Sequence, residues 1–453
     1  MPTIPARKPV TLLSDAFGAM TVRVVGMVLL FASTTLAARV LGPEEYGAFN
    51  AAFSLAVLLA TLAPLGADRI MLRNLSTTDS TEVNAHETAL THHTTAVVGI
   101  ALFVVLMLGV LLGNTVGISD SWQVTFFLSA VMFFPVALTY LRQWVAIPML
   151  GTRQALMPEQ TIIPLGFMVI LWILKVSGSE LTAFSASCAY AGVMLALWLW
   201  TVQQGILGKI YAQATQQQLT LAAIAQRVRE GLPFTGVALG TAMLNRSLPL
   251  VVVATCGFSA AAQFSIAHSF ANLAGIPLGI LNLCILPRCT TLVRNSSLHE
   301  ASRLVGSTAG LALLMSAGIG ITTCILSPVA IELLGASYSQ ISLILWLLVI
   351  AAVCDAIPGP SIALLQAMHL EGLWSRIVLT FVPLQLATVW FASHLGGLTG
   401  AAIGYLVTRA IYNLLIVGAV YYMRGILIVP RFSLSWISEP LIPQRPPEPE
   451  PTH

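Results

Sequence analysis

The chain has 453 residues, of which 57% are apolar and only 9% charged, a balance that leaves too little polar surface to cover a soluble globule of this size, so lipid must be the solvent. A net charge of +3 is too small to mark a nucleic-acid partner, and its meaning lies in where the charges sit. The apolar residues fall into runs of roughly 20 to 27, each long enough to cross a hydrocarbon core of about 30 Å as a helix, without the period-two alternation of barrel strands.

The first apolar run follows Arg7 and Lys8, carries Arg23 inside it and lacks a small-residue cleavage site, so it reads as an uncleaved first span and not as a signal peptide. About twelve transmembrane helices are predicted, at 16–41, 48–68, 94–118, 122–147, 156–176, 181–205, 231–257, 259–287, 304–328, 341–367, 372–395 and 397–423. With a cytoplasmic N-terminus, fourteen Lys and Arg fall in inner loops and tails, and the outer side keeps only Arg39 and Lys175. That asymmetry places both termini in the cytoplasm. The outer loops are short and leave no extracellular domain for chemistry. Cys188, Cys256, Cys284, Cys289, Cys324 and Cys354 lie in or at the ends of apolar runs without CxxC spacing and read as small packing residues.

A shift of 215 residues lays the second half over the first. Residues 42–73 face 257–288 without a gap, and eight of the 32 positions are identical, among them Gly42 with Gly257, Phe49 with Phe264 and Arg73 with Arg288. The expected fold is therefore all-α, two six-helix bundles related by internal duplication, at 1–205 and 231–423. An even helix count gives both the same orientation, and substrate sites in such transporters lie between the halves. The linker 206–230 mixes polar and apolar residues and suits a cytoplasmic surface helix. The tail 424–453 is proline-rich and expected to be disordered.

Three stretches carry a family resemblance: RVLGPEEYGAFNAAFSLAVLLATLAPLGADRIMLR at 39–73, LLGASYSQISLILWLLVIAAVCDAIPGPSIALLQAMHLEGLWSR at 333–376, and GLTGAAIGYLVTRAIYNLLIVGAVYYMR at 397–424. The chain thereby resembles the Wzx-like oligosaccharide flippases of the multidrug, oligosaccharidyl-lipid and polysaccharide exporter superfamily. Its GxSYS stretch departs from the family's more usual acidic residue before the tyrosine. The resemblance implies alternating access by a V-shaped pair of bundles in a bacterial cytoplasmic membrane. It also implies a polyprenyl pyrophosphate carrying an oligosaccharide as substrate, with other polysaccharide-assembly proteins as possible partners.

Apart from Arg39 at the outer end of the first, five arginines lie inside predicted spans: Arg23, Arg142, Arg246, Arg376 and Arg409. Each costs about 2.5–3.5 kcal/mol at the bilayer centre, so they should face an interior cavity, where guanidinium forks offer charge and paired hydrogen bonds to phosphate oxygens. Arg246 and Arg409 are mid-span. Arg23, Arg142 and Arg376 lie toward inner ends, where snorkelling to headgroups is the alternative. Asp355 is well inside the tenth span and suits pairing with an arginine or proton uptake. His268 lies in the eighth span, where a packed or pore-lining histidine is the commoner case. His86, His92 and His93 fall in a predicted inner loop at a spacing that matches no familiar metal site. No cofactor is expected, and no coupling ion, H+ or Na+, follows from one carboxylate. Pro358, Gly359 and Pro360 mark the best candidate for a broken helix.

A lipid II flippase shares the pyrophosphate chemistry and is not separated by charge. A cation or drug exporter of the same superfamily should present carboxylates, and here mid-span arginines outnumber them. A glycan polymerase or ligase needs an outer-face reaction site that the short loops do not supply, so the chain reads as a transporter and not an enzyme.

Overall fold

A computed structural model describes residues 12–432 apart from 78–80, 204, 215, 217–219, 296, 339–340, 369 and 425–427. Arg7, Lys8, Arg445 and the tail from 433 onward lie outside the described residues, as does part of the linker. Among the described residues every regular element is helical. Eight runs are long and apolar enough to cross a membrane, and three of them are double length: Thr21–Leu62, Ala222–Asn282 and Gly372–Met423. Each breaks at glycine, at Gly42 (φ 78°, ψ 169°), Gly257 (φ 84°, ψ 178°) and Gly397 (φ 56°, ψ −138°). Opening the three there, and counting the interrupted pair Ile341–Asp355 and Ser361–Ala367 as one more, gives the twelve crossings predicted from hydropathy. Large apolar side chains such as Val105, Leu111, Trp172 and Leu395 are exposed, as a lipid solvent requires.

The repeat is visible in the backbone. Gly42 and Gly257 are equivalent under the shift and share one conformation that only glycine adopts readily. In the first half Pro43 follows the glycine at the opening of the next helix, where its missing N–H costs nothing. Helix Leu298–Ile325 lies one shift beyond helix Thr81–Leu111, with ends that agree within three residues. Asn50 donates to the Ser265 hydroxyl at 2.7 Å, and these two residues are themselves 215 apart, so the helices that follow the two glycines touch at equivalent positions.

Several boundaries differ from the hydropathy reading. The stretch 69–93, expected to be largely an inner loop, is helix in Ala67–Thr77 and in the first turns of Thr81–Leu111. One polar face of it is folded inward, while Arg73, His86 and His93 stay exposed. Asn84, Glu87, Thr88 and Thr91 recur at helical spacing and are buried, and Glu87 accepts from Arg227 at 2.9 Å. His92 is also on this helix, with Nδ1 2.8 Å from the Thr88 carbonyl. The fifth span opens with a π-helical turn, Pro158–Ile162, and the tenth is cut between Asp355 and Ser361, where Gly359 has φ 58°.

Internal packing divides the chain into two compact units. One comprises the described residues of Met1–Ser269, Pro328–Ile344 and Val382–Gly404; the other those of Phe270–Ser327, Leu345–Phe381 and Tyr405–His453. In the first unit close backbone approach depends on glycine: a Cβ on Gly47 would stand 2.0 Å from the Phe258 carbonyl oxygen, and one on Gly66 2.1 Å from that of Gly231. In the second, Leu281, Ala312 and Ala356 form a small buried core.

Substitution tests the glycine breaks. Gly42→Ala and Gly257→Ala should each cost about 1–3 kcal/mol of stability from backbone strain alone, since a Cβ at either meets nothing within 4 Å. Gly192→Ala, inside helix Ala183–Val202 and equally open, should be neutral or slightly stabilising, with thermal unfolding in detergent as the measurement.

Candidate functional site

The two mid-span arginines have different environments. Arg246 is the last residue of helix Leu221–Arg246, and Leu248 opens the next helix after a one-residue break. Pro249 explains the break, since it has no N–H to offer the Asn245 carbonyl. Gln385, buried, donates to the Leu244 carbonyl at 3.0 Å and steadies the same turn.

The Arg246 guanidinium is half-buried and lies 5.5 Å from the centroid of Phe53. Behind that ring is a connected aromatic cluster. Tyr46, Phe49 and Phe53 share one helix face at i, i+3 and i+7; Phe49 stacks on Phe167 at 5.5 Å, and Tyr190 meets Phe53 and Phe167 edge-on at 5.0 Å each. Tyr46 and Tyr190 lie within electrostatic reach of the guanidinium. Cation–π attraction supplies about 0.5–2 kcal/mol and leaves the N–H groups free to donate. Among the described residues no carboxylate lies within ion-pair distance of Arg246. A neighbouring side chain, Asn245, is exposed.

Arg409, in the second unit, is closed. Its Nε lies 3.2 and 3.1 Å from the two Asp355 oxygens, its terminal nitrogen bonds the same carboxylate, and Asn413 donates to Asp355 Oδ1 at 2.8 Å. Tyr405 and Tyr412 flank the guanidinium at 5.7 and 5.6 Å, and Trp374 donates to the Tyr412 hydroxyl at 3.2 Å. Asp355 is the last residue before the break at 356–360, so the pair ties the twelfth span to the interrupted tenth.

The other sequence candidates are dispersed. Arg142 is 1% exposed and donates to the Ala155 carbonyl at 2.8 Å and to Glu159 at 3.3 Å, clamping the π-helical turn. Arg23 and Arg376 are exposed on their helices. His268 is half-buried and stacks on Phe264, with centroids 6.2 Å apart. Sequence reasoning passed over the aromatic cluster and Asn413, although helical spacing signals both: three rings on one face, and an amide one turn beyond Arg409.

No protein-family model matches the sequence, and no curated protein does. Solved structures do. A multidrug resistance MATE family transporter of the MOP superfamily, in its inward-facing conformation, superposes with a TM-score of 0.70 at 14% identity, over 88% of this chain and 96% of that one. An outward-facing MATE family transporter gives 0.56 at 16% identity, over 88% and 93%. A MOP superfamily transporter from Pyrococcus furiosus, described by the reverse polarity of its binding pocket, gives 0.58 at 13% identity, over 89% and 93%.

The Asp355–Arg409 pair is tested by a double-mutant cycle. Asp355→Asn or Arg409→Met alone should each cost about 3 kcal/mol by stranding the partner, and the double variant should recover most of that loss in thermal unfolding. The chain has the fold of the solved MATE transporters of the MOP superfamily.

Proposed function

We propose that this chain is a flippase of the multi-pass bacterial cytoplasmic membrane, carrying a polyprenyl-pyrophosphate-linked oligosaccharide from the inner to the outer leaflet by alternating access during surface-polysaccharide assembly. The observation that carries the reading is how the mid-span charged groups are partnered. The carboxylate of Asp355 is gripped by Arg409, whereas Arg246 lies over the Phe53 ring and, among the described residues, has no carboxylate within ion-pair distance. A transporter built to carry cations should expose the opposite sign. A pyrophosphate crossing the hydrocarbon layer loses its hydration, and a guanidinium fork replaces part of it with charge-assisted hydrogen bonds. In this reading the domains are the repeats 1–205 and 231–423, both termini are cytoplasmic, and Arg246 makes the first contact with the headgroup. Arg409, Arg23, Arg142 and Arg376 then hold structure or charge balance each within its own unit.

The fold itself favours a second reading, since two of the similar solved structures are multidrug transporters. Deletion separates the two. The flippase reading expects lipid-linked oligosaccharide to accumulate on the inner leaflet and surface glycan to disappear; drug sensitivity with intact glycan supports the exporter. Arg246→Ala should abolish transport while protein abundance stays normal, and wild-type transport by that variant removes Arg246 from the mechanism.

A further inference from the structure

The double-length run Thr21–Leu62 ends in a tight turn, Pro64, Leu65 and Gly66, that leads into helix Ala67–Thr77. Leu65 has φ 46° and is the one non-glycine residue with positive φ among the described residues. A side chain in that region is strained, and such strain persists where the surroundings over-determine it, as at switches and ligand clamps. Helix Leu221–Arg246 does the holding: a Cβ on Gly231 would stand 2.1 Å from the Leu65 carbonyl oxygen and 3.1 Å from the Ala67 amide. One turn earlier on that helix, Arg227 grips Glu87 at 2.9 Å.

Two residues past Gly66 lies Asp68, 2% exposed. Among the described residues the one cation within ion-pair distance is its sequence neighbour Arg69, with Nε 3.6 Å from Oδ2, and that guanidinium lies over the Trp144 ring at 4.0 Å. The Tyr140 hydroxyl is within hydrogen-bonding reach. The charges on the helices packed against Ala67–Thr77 are engaged elsewhere or open to solvent. Glu87 and Arg227 hold each other, and Arg142 is held by Ala155 and Glu159. His92 turns to the Thr88 carbonyl and Tyr211, while Arg73, His86, His93, Arg229 and Glu230 are exposed.

Asp68 thus differs from Asp355, Glu159 and Glu87, each of which takes an arginine from another element. A carboxylate withdrawn from water without a close counter-ion favours its neutral form. Burial pushes the Asp68 pKa up, against the opposing pull of Arg69 and of hydrogen bonds. A carboxylate serving only the dipole of its helix would gain by staying charged at the surface.

We propose that Asp68 is the binding site for a coupling proton. Protonated, it keeps its buried seat and the Leu65–Gly66 turn rests on Gly231. Deprotonated, it draws toward water, relaxes the strained turn and parts the second span from the seventh at their inner ends. The coupling role rests on the transport reading above; the switch itself does not.

In full-length protein with its native cysteines replaced, spin labels at Arg73→Cys and Arg229→Cys report the spacing of the two helices by pulsed electron resonance. Raising the pH from about 5 to about 8 should lengthen it by several ångströms, since the charged form disfavours the buried seat. Asp68→Asn, neutral throughout, should keep the short spacing, and Asp68→Glu should restore the response. A parent spacing that ignores pH, or an Asp68→Asn protein that shifts as the parent does, overturns the switch. Transport gives the second arm: in proteoliposomes an imposed pH gradient should speed the parent several-fold and leave Asp68→Asn unchanged. Equal stimulation of both, or none in the parent, overturns the coupling role. A spacing that responds to pH in a protein that moves no lipid-linked sugar contradicts the transport reading and not the switch.

Discussion

A guanidinium inside a hydrocarbon layer must be met by something, and Arg409, Arg142 and Arg246 are met in three different ways. Arg409 takes a carboxylate in a two-point grip, which engages its Nε and one terminal nitrogen and fixes two helices together. Arg142 takes a backbone carbonyl and Glu159 and is sealed from solvent. Arg246 takes the face of Phe53, which stabilises the charge without using its hydrogen bonds. Only the third arrangement leaves a cation able to bind an anion that arrives and leaves again, and the proposed function depends on that difference.

The breaks in the helices are what bring these charges to where they sit. Arg246 and Asp355 are each the last residue of a helix, one before Pro249 and the other before Pro358, Gly359 and Pro360. Interrupted helices expose dipole ends and unpaired backbone groups at membrane depth, where transporters build their sites. The same positions absorb φ/ψ change most cheaply, so a site at a break is also a site at a hinge. Gly42 and Gly257 show the duplicated chain using one such device twice.

Much of this is legible in the residues because it is local. Run length gives the crossings, the 215-residue shift finds the paired glycines, and two prolines around a glycine announce the break after Asp355. What escapes the sequence depends on partners far along the chain. The stretch TEVNAHETALTHH reads as a loop because its polarity looks solvent-facing, yet its Glu87 is held by Arg227, 140 residues away. Asp355 and Arg409 are 54 residues apart, and nothing in their neighbourhoods names either as the other's mate. The aromatic support of Arg246 is drawn from three helices, which no single-segment pattern can show.

The central claim is that the Arg246 guanidinium receives a pyrophosphate. A structure of the protein bound to a polyprenyl pyrophosphate lipid tests it most directly. The account predicts phosphate oxygens within about 3 Å of the Arg246 guanidinium nitrogens, with the Asp355–Arg409 pair still closed. A headgroup held elsewhere, with Arg246 turned to lipid or paired to a carboxylate, contradicts it.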